Sequence, residues 1–327
     1  MEGLGPGPEF DLIRRFLSGA VAGGGAVRVG PGDDCAVLAN GTVLSTDMSV
    51  EGVHFRREWL SPREMGYRAA AAALSDLAAV AARPVGALVS LAVAPEDAEA
   101  WAEEVMAGVR GAVERAGGVL LGGDLTRSPA LLALDVTAVG ETSTPVLRSA
   151  AAVGDEVWVT GELGGAAACA MKLLAGGEPD PEARERFVRP TPRIPEAGWL
   201  QERGVLHAML DLSDGLLGDA GHIAAASGVA VVLEADAIPV AAAARRSVAT
   251  PEEALALAVS GGEDYELCFT AAPGAVGPLR AGFSHRFGIS LTRVGRVEEG
   301  SGVWWREGEN RRRPAAGGGF QHFGGGA

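Results

Sequence analysis

Residues 61–94, SPREMGYRAAAAALSDLAAVAARPVGALVSLAVA, read as one helix followed by one buried strand. Ser61-Pro62-Arg63-Glu64 is a helix start: serine as N-cap, proline in the first turn, glutamate three residues after the cap. The pattern predicts a helix to about Ala82, where Arg83-Pro84 stops it. The apolar run Val85–Ala94 is too short to span a bilayer, which needs about 20 residues, and fits a buried strand. One residue breaks the local logic. Asp76 lies mid-helix among alanines, where aspartate is a poor helix former and cannot serve as a cap.

Outward from this segment, helices and strands alternate. Phe10, Ile13 and Leu17 recur at helical spacing, predicting a short helix over 9–17. Strand-like runs at 26–29, 35–38 and 42–46 are punctuated by Pro31-Gly32 and Asn40-Gly41. A helix near 96–116 carries Trp101, Val105, Val109 and Val113 on one face. Strands follow at 119–121 and 131–140. The alternation then restarts: a strand at 155–160, a helix at 164–175, a proline-rich stretch at 179–195, and a helix ending near Arg203. Residues 213–227 read as helix, and 229–234, 266–270 and 291–297 as strands. At 327 residues the chain is long for one domain. The expectation is two mixed α/β domains, 1–145 and 146–327, sharing a cleft. The tail, 317–327, is glycine-rich and reads as a loose end.

Net charge is −14, which argues against a nucleic-acid surface. Lys172 is the only lysine, so a mechanism that needs a phosphate-binding lysine has one candidate. The three cysteines, Cys35, Cys169 and Cys268, form no C-x-x-C pair, and the first residues lack the pattern of a signal peptide. A cytoplasmic protein with no membrane segment is expected.

The aspartates carry the chemical signal. Asp33-Asp34 follow a glycine turn, Asp47 ends a strand, and Asp124 follows Gly122-Gly123. Asp211 and Asp214 flank Ser213 where a strand meets a helix. Each acid alone reads as an ordinary turn or cap residue, with Asp76 the exception. Were they to converge, two carboxylates about 4 Å apart would repel by roughly 4 kcal/mol at an effective dielectric near 20. Oxygen donors without a His/Cys set favour magnesium or calcium, and magnesium commonly completes its shell with substrate phosphates.

The turns Thr160–Gly165, Gly122-Gly123-Asp124 and Gly261-Gly262-Glu263-Asp264 would permit close approach of a phosphate, though each alone is more often just a turn. No G-x-x-x-x-G-K-[ST], H-E-x-x-H or G-x-S-x-G motif is present. Of the five histidines, His54, soon after Asp47, reads as functional. His207, His222 and His285 read as surface or structural.

Taken together, GDDCAVL (32–38), STDMSVEGVHF (45–55), ALSDLAAVAARP (73–84) and GGDLTRSP (122–129) resemble the thiamine-monophosphate kinases, within the superfamily that includes aminoimidazole ribotide synthetase. The likeness continues in order through RSAAAVGDEVWVTGELG (148–164), LDLSDGLLGDAGHI (210–223), SGGEDYELCFT (260–270) and GGFQHF (318–323). The resemblance implies two α/β domains, with the N-terminal sheet pairing across a homodimer. It implies transfer of a phosphoryl group from ATP to thiamine phosphate with several magnesium ions. Asp34, Ser45, Thr46, Asp47, Asp76, Asp124, Asp211 and Asp214 would hold metal directly or through water. Gly123, Asp124, Arg148 and Ser213 would contact ATP. His54, Glu263 and Phe320 would contact thiamine phosphate, and Asp76, Asp124 and Arg148 would carry catalysis. Phe320 stands where tyrosine is common, so stacking survives and a hydroxyl contact is lost. Met48 and Leu125 stand where threonine is common.

The acceptor, a phosphate monoester with second pKa near 6, is already anionic at neutral pH, so no general base is needed. Rival readings are an aminoimidazole ribotide synthetase using the same ATP site, or a non-catalytic acidic module held together by metal. A selenophosphate synthetase would need a reactive Cys and Lys near the start, where no lysine stands.

Overall fold

The computed structural model of the protein describes residues 8–18, 24–307 and 311–315. The first half contains α1 (Pro8–Phe16), β1 (Val27–Val29), β2 (Ala36–Leu38), β3 (Thr42–Val50), α2 (Pro62–Ala79), β4 (Arg83–Val93), α3 (Ala98–Arg115), β5 (Val119–Arg127) and β6 (Ala133–Glu141). Its strands form one mixed sheet in the order β1-β2-β3-β6-β4-β5. β4 and β5 pair in parallel across the α3 crossover, and the other pairs are antiparallel.

The second half contains β7 (Glu156–Thr160), α4 (Gly165–Leu174), α5 (Pro181–Val188), α6 (Ile194–Gln201), β8 (Met209–Asp211), α7 (Leu216–Ser227), β9 (Ala230–Leu233), α8 (Ala242–Ser247), α9 (Pro251–Ser260), β10 (Leu267–Ala271), α10 (Arg280–Phe287), β11 (Leu291–Glu298), β12 (Gly302–Arg306) and β13 (Arg312–Pro314). These strands form a second mixed sheet, β13-β12-β9-β11-β7-β10-β8, with β12 and β9 parallel.

α2 begins as its sequence dictates. The Ser61 side chain accepts from the Glu64 N–H, and the Glu64 carboxylate accepts from the Ser61 N–H, so two orphan donors are satisfied reciprocally. Its alanines let it lie close on both sides. It packs against α3, β3 and β6, and also reaches β8, α5 and α6 of the second domain. Val105, Val109 and Val113 of α3 are fully buried. Asp180 caps α5 within the proline-rich stretch, accepting from the N–H groups of Glu182 and Ala183, so that stretch holds a helix that its prolines alone did not reveal.

Two elements differ from the sequence expectation in ways that matter for the site. β5 runs to Arg127 rather than ending at Leu121, so Gly122-Gly123 is strand and not turn. α7 starts at Leu216 rather than Ser213, which leaves Ser213 and Asp214 in the turn between β8 and the helix. Among the described residues, no helix is long and apolar enough to cross a membrane. Phe320 and the GGFQHF segment lie outside the described residues.

Candidate active site

β3 sorts its polar residues by alternation. Ser45 faces α2, where its hydroxyl donates to the Asp76 carboxylate. Thr46 points to the opposite face, and its hydroxyl donates to Asp135 at 2.8 Å. Asp47 returns to the inner side and adds its negative charge to the field at Asp76.

Three elements distant in sequence converge on one point. Asp34 comes from the turn before β2, Asp76 from α2, and Asp211 from the end of β8 in the second domain. One carboxylate oxygen of each lies within 4.8 Å of the other two. Burial, then Asp211 and Asp34, pushes Asp76 well above the usual carboxylate range, and the Ser45 hydroxyl opposes the shift. Burial and then Asp34 push Asp211 up to about 7. Arg148 answers part of this charge. Its guanidinium grips Asp34 through two hydrogen bonds, 2.9 and 2.6 Å. Asp33 supports the turn: its carboxylate accepts the N–H groups of Asp34 and Arg148, at 3.1 and 3.2 Å. Burial and the neighbouring Asp34 raise Asp33 to about 6.

A second group adjoins the β8–α7 turn. Asp214, Asp219 and His222 each offer an atom within 4.8 Å of the others. Asp219 is buried and accepts the N–H groups of Asp214 and Gly215, at 3.1 and 3.0 Å, which fixes the turn. Burial and then Asp214 raise Asp219 well above its ordinary value, whereas burial and then Arg148 lower His222 to about 4. Asp219 escaped the sequence reading. Its signal was an acid in the first turn of a helix, just ahead of a histidine on the same face.

The segment 261–265 runs alongside this turn. The Glu263 N–H donates to the Ser213 carbonyl at 2.7 Å, and the Tyr265 N–H to the Leu212 carbonyl at 2.9 Å. Glu263 and Tyr265 hold left-handed backbone angles, φ 63° and 51°. Such conformations cost about 1–3 kcal/mol each and persist where surroundings over-determine them. Ser213 is exposed beside them. His54 sits in the turn that closes the far end of β3, with Nδ1 accepting the Val50 N–H at 3.0 Å. The proton of the neutral ring therefore resides on Nε2.

Asp124 does not join the converging acids. Register places it opposite Ser90, which pairs with Asp135, which pairs with Met48. That row lies on the outer sheet face with Thr46, away from Asp47 and Asp76. Gly123 faces inward, where an added Cβ would collide with the Val89 carbonyl, so its close approach is to β4. The Thr160–Gly165 turn is likewise engaged internally. The Gly164 N–H, at the start of α4, donates to both Asp264 oxygens at 2.9 and 2.8 Å. The anion position of that helix terminus is filled by the protein's own carboxylate; burial raises Asp264 to about 8.

A carboxylate cluster between two mixed α/β domains defines a class. Residues 32–142 match the family AIR synthase related protein, N-terminal domain, and residues 152–305 match AIR synthase related protein, C-terminal domain. The chain is 37% identical over 295 residues to thiamine-monophosphate kinase of Rhodopirellula baltica, covering 86% of each chain. Against thiamine-monophosphate kinase of Escherichia coli (strain K12) it is 35% identical, covering 88% of this chain and 90% of that one. The solved structure of AaThiL complexed with AMPPCP and TMP superposes with a TM-score of 0.82 at 31% identity, covering 99% of this chain and 98% of that one. The chain belongs to the thiamine-monophosphate kinase family.

Proposed function

We propose that the chain phosphorylates thiamine phosphate to thiamine diphosphate at the expense of ATP, in the cleft where Asp34, Asp76 and Asp211 meet. Its family relatives carry that activity in their names, and AaThiL was solved with AMPPCP and TMP. The observation that carries the reading is the convergence of three carboxylates from both domains within 4.8 Å. Without cations such a group relieves its charge by holding protons, as the raised Asp76 and Asp211 show, and cations between its members would let all three ionise. The donors are hard oxygens, which suits magnesium.

Asp34, Asp76 and Asp211 would hold magnesium, with Ser45, Asp47 and Asp214 at the margins; Thr46 could join only through its backbone. The bound ions would supply charge neutralisation for two polyanionic substrates. Arg148 and Ser213 adjoin the cluster and are our candidates for ATP contact, Arg148 as a fixed cation. Glu263, His54 and Phe320 are our candidates for thiamine phosphate. The protein's task is to align an acceptor phosphate oxygen with the γ-phosphorus of ATP. The new O–P bond forms as the bond to the ADP oxygen breaks, by direct in-line transfer without a phosphoenzyme.

The working assembly we propose is a cytoplasmic homodimer of two-domain chains, 1–145 and 146–327. The outer face of the first sheet supports this: Met48 is 57% exposed and Leu88 42%, and among the described residues β5 is an edge strand. Asp124 and Gly123, on that edge strand, would serve catalysis, metal or ATP only across or beside this dimer face.

The deciding assay is ADP release with magnesium, with and without thiamine phosphate. Release that requires thiamine phosphate and stops on chelation supports the kinase. Release with a formylglycinamidine ribotide instead would identify the synthetase, and no release with any acceptor would leave a metal-binding module.

A further inference from the structure

Arg68 is a cation where none is expected. It lies within α2 among buried alanines, and only 5% of it is exposed. A guanidinium taken from water is tolerated only when paired and fully hydrogen-bonded. Its partners all belong to the second domain. It donates to the Phe187 carbonyl at 2.8 Å, stacks over the Phe187 ring at 4.0 Å, and forms an ion pair with Glu263. Among the described residues Glu263 is the one carboxylate paired with Arg68.

Glu263 is also one of the non-glycine residues with a left-handed backbone, with Ala81 and Tyr265. Its left-handed φ of 63° is held between a hydrogen bond from its N–H to the Ser213 carbonyl and the Arg68 pair at its side chain. Two helical turns along α2, about 10 Å at the ordinary rise, Ser75 meets Asp211, and Asp76 follows it. One face of one helix therefore touches both the carboxylate cluster and the segment that carries Glu263.

We propose that Arg68 is a positioning residue that fixes Glu263 across the domain boundary, so that affinity for the thiamine-phosphate acceptor depends on a side chain that does not touch it. This rests on the assignment of Glu263 to that acceptor. The guanidinium aims the carboxylate from behind, leaving the remaining oxygen capacity of Glu263 for a polar or cationic group of the acceptor's rings. Lysine cannot reproduce the arrangement, because it lacks both the planar fork and the stack on Phe187.

The test is steady-state kinetics on Arg68→Met, Arg68→Lys, Glu263→Gln and the double variant Arg68→Met/Glu263→Gln, with KM measured for thiamine phosphate and ATP separately and melting followed in parallel. We expect Arg68→Met to raise KM for thiamine phosphate by about tenfold with little change for ATP. The double variant should be no worse than the poorer single one, because residues acting as one unit are not additive. Should the methionine variant not fold, Arg68→Lys reads the same split. Equal changes in both KM values, additive effects, or an unchanged KM in a folded variant would overturn the proposal. An unchanged thiamine-phosphate KM in Glu263→Gln would instead remove the acceptor assignment of Glu263 itself.

Discussion

Arg148 holds Asp34 with a two-pronged grip, Nε to Oδ2 at 2.9 Å and Nη2 to Oδ1 at 2.6 Å, where the two domains meet. The Asp34 side chain is only 2% exposed, so the pair is shielded from water. Removing one member of such a pair strands the other. Arg148→Met should destabilise the metal-free protein by about 3–5 kcal/mol. Added magnesium should restore part of that loss by neutralising Asp34. Melting curves with and without magnesium check this; a variant as stable as the parent without metal would show that the pair is not structurally required.

Asp76→Asn removes one charge from a crowded set while keeping the side chain's shape. Turnover should fall by at least about a hundredfold, on the scale of losing a principal electrostatic group. Stability without metal should rise, because an amide escapes the cost that burial, and then Asp211 and Asp34, impose on a carboxyl at this position. Wild-type turnover in this variant would take Asp76 out of the metal set.

The metal-free protein should become less stable as pH rises from about 4 to about 7. Asp211 is raised in the fold from 3.8 to about 7, so the native state binds a proton that the unfolded chain has released over that interval. A raised folded pKa favours the native state fully below the unfolded value, and the advantage fades as pH climbs through the folded value. Magnesium, which needs the ionised form, should flatten the slope. Melting temperature against pH, in chelator and in excess magnesium, distinguishes the two profiles.

Ser45 and Thr46 are neighbours with different fates. The Ser45 hydroxyl faces Asp76, whereas the Thr46 hydroxyl faces Asp135 on the other side of the sheet. Ser45→Ala should weaken the apparent magnesium dependence of turnover several-fold. Thr46→Ala should leave it within about twofold, as befits a residue contributing no side-chain ligand. A magnesium titration of each variant's rate is sufficient, and equal effects would contradict the assigned faces.

Gly123 has φ 155° and faces the Val89 carbonyl. Gly123→Ala should force β5 away from β4 and cost about 1–3 kcal/mol. The loss should appear in the melting temperature even without nucleotide, since the clash is with the protein's own backbone.

Local codes survived into the fold wherever a residue's reason lay within a few neighbours. The Ser61–Glu64 capping box started α2 where its spacing required, and the periodic valines of α3 turned inward as a face. Asp76 declared itself because it broke the rules of its own helix, and the ordered blocks carried the family. Distance in the chain hid the rest. Which acids meet depends on two sheets and one shared helix: Asp34 and Asp211 stand 4.8 Å or less from Asp76 only after both domains dock on α2. Thr46 and Asp124 fell on the outer face because strand parity and register are settled by pairing, not by composition. Arg68 carried no signal in the sequence, because its partners are assembled only when α5 and the Glu263 segment close over it. Sequence by itself determined the principal elements, such as α2, α3 and β4, the family and the inventory of acids, since these are set by short-range sterics and residue chemistry. Tertiary structure alone decided which of them share a site, because burial and charge proximity exist only once the chain has packed.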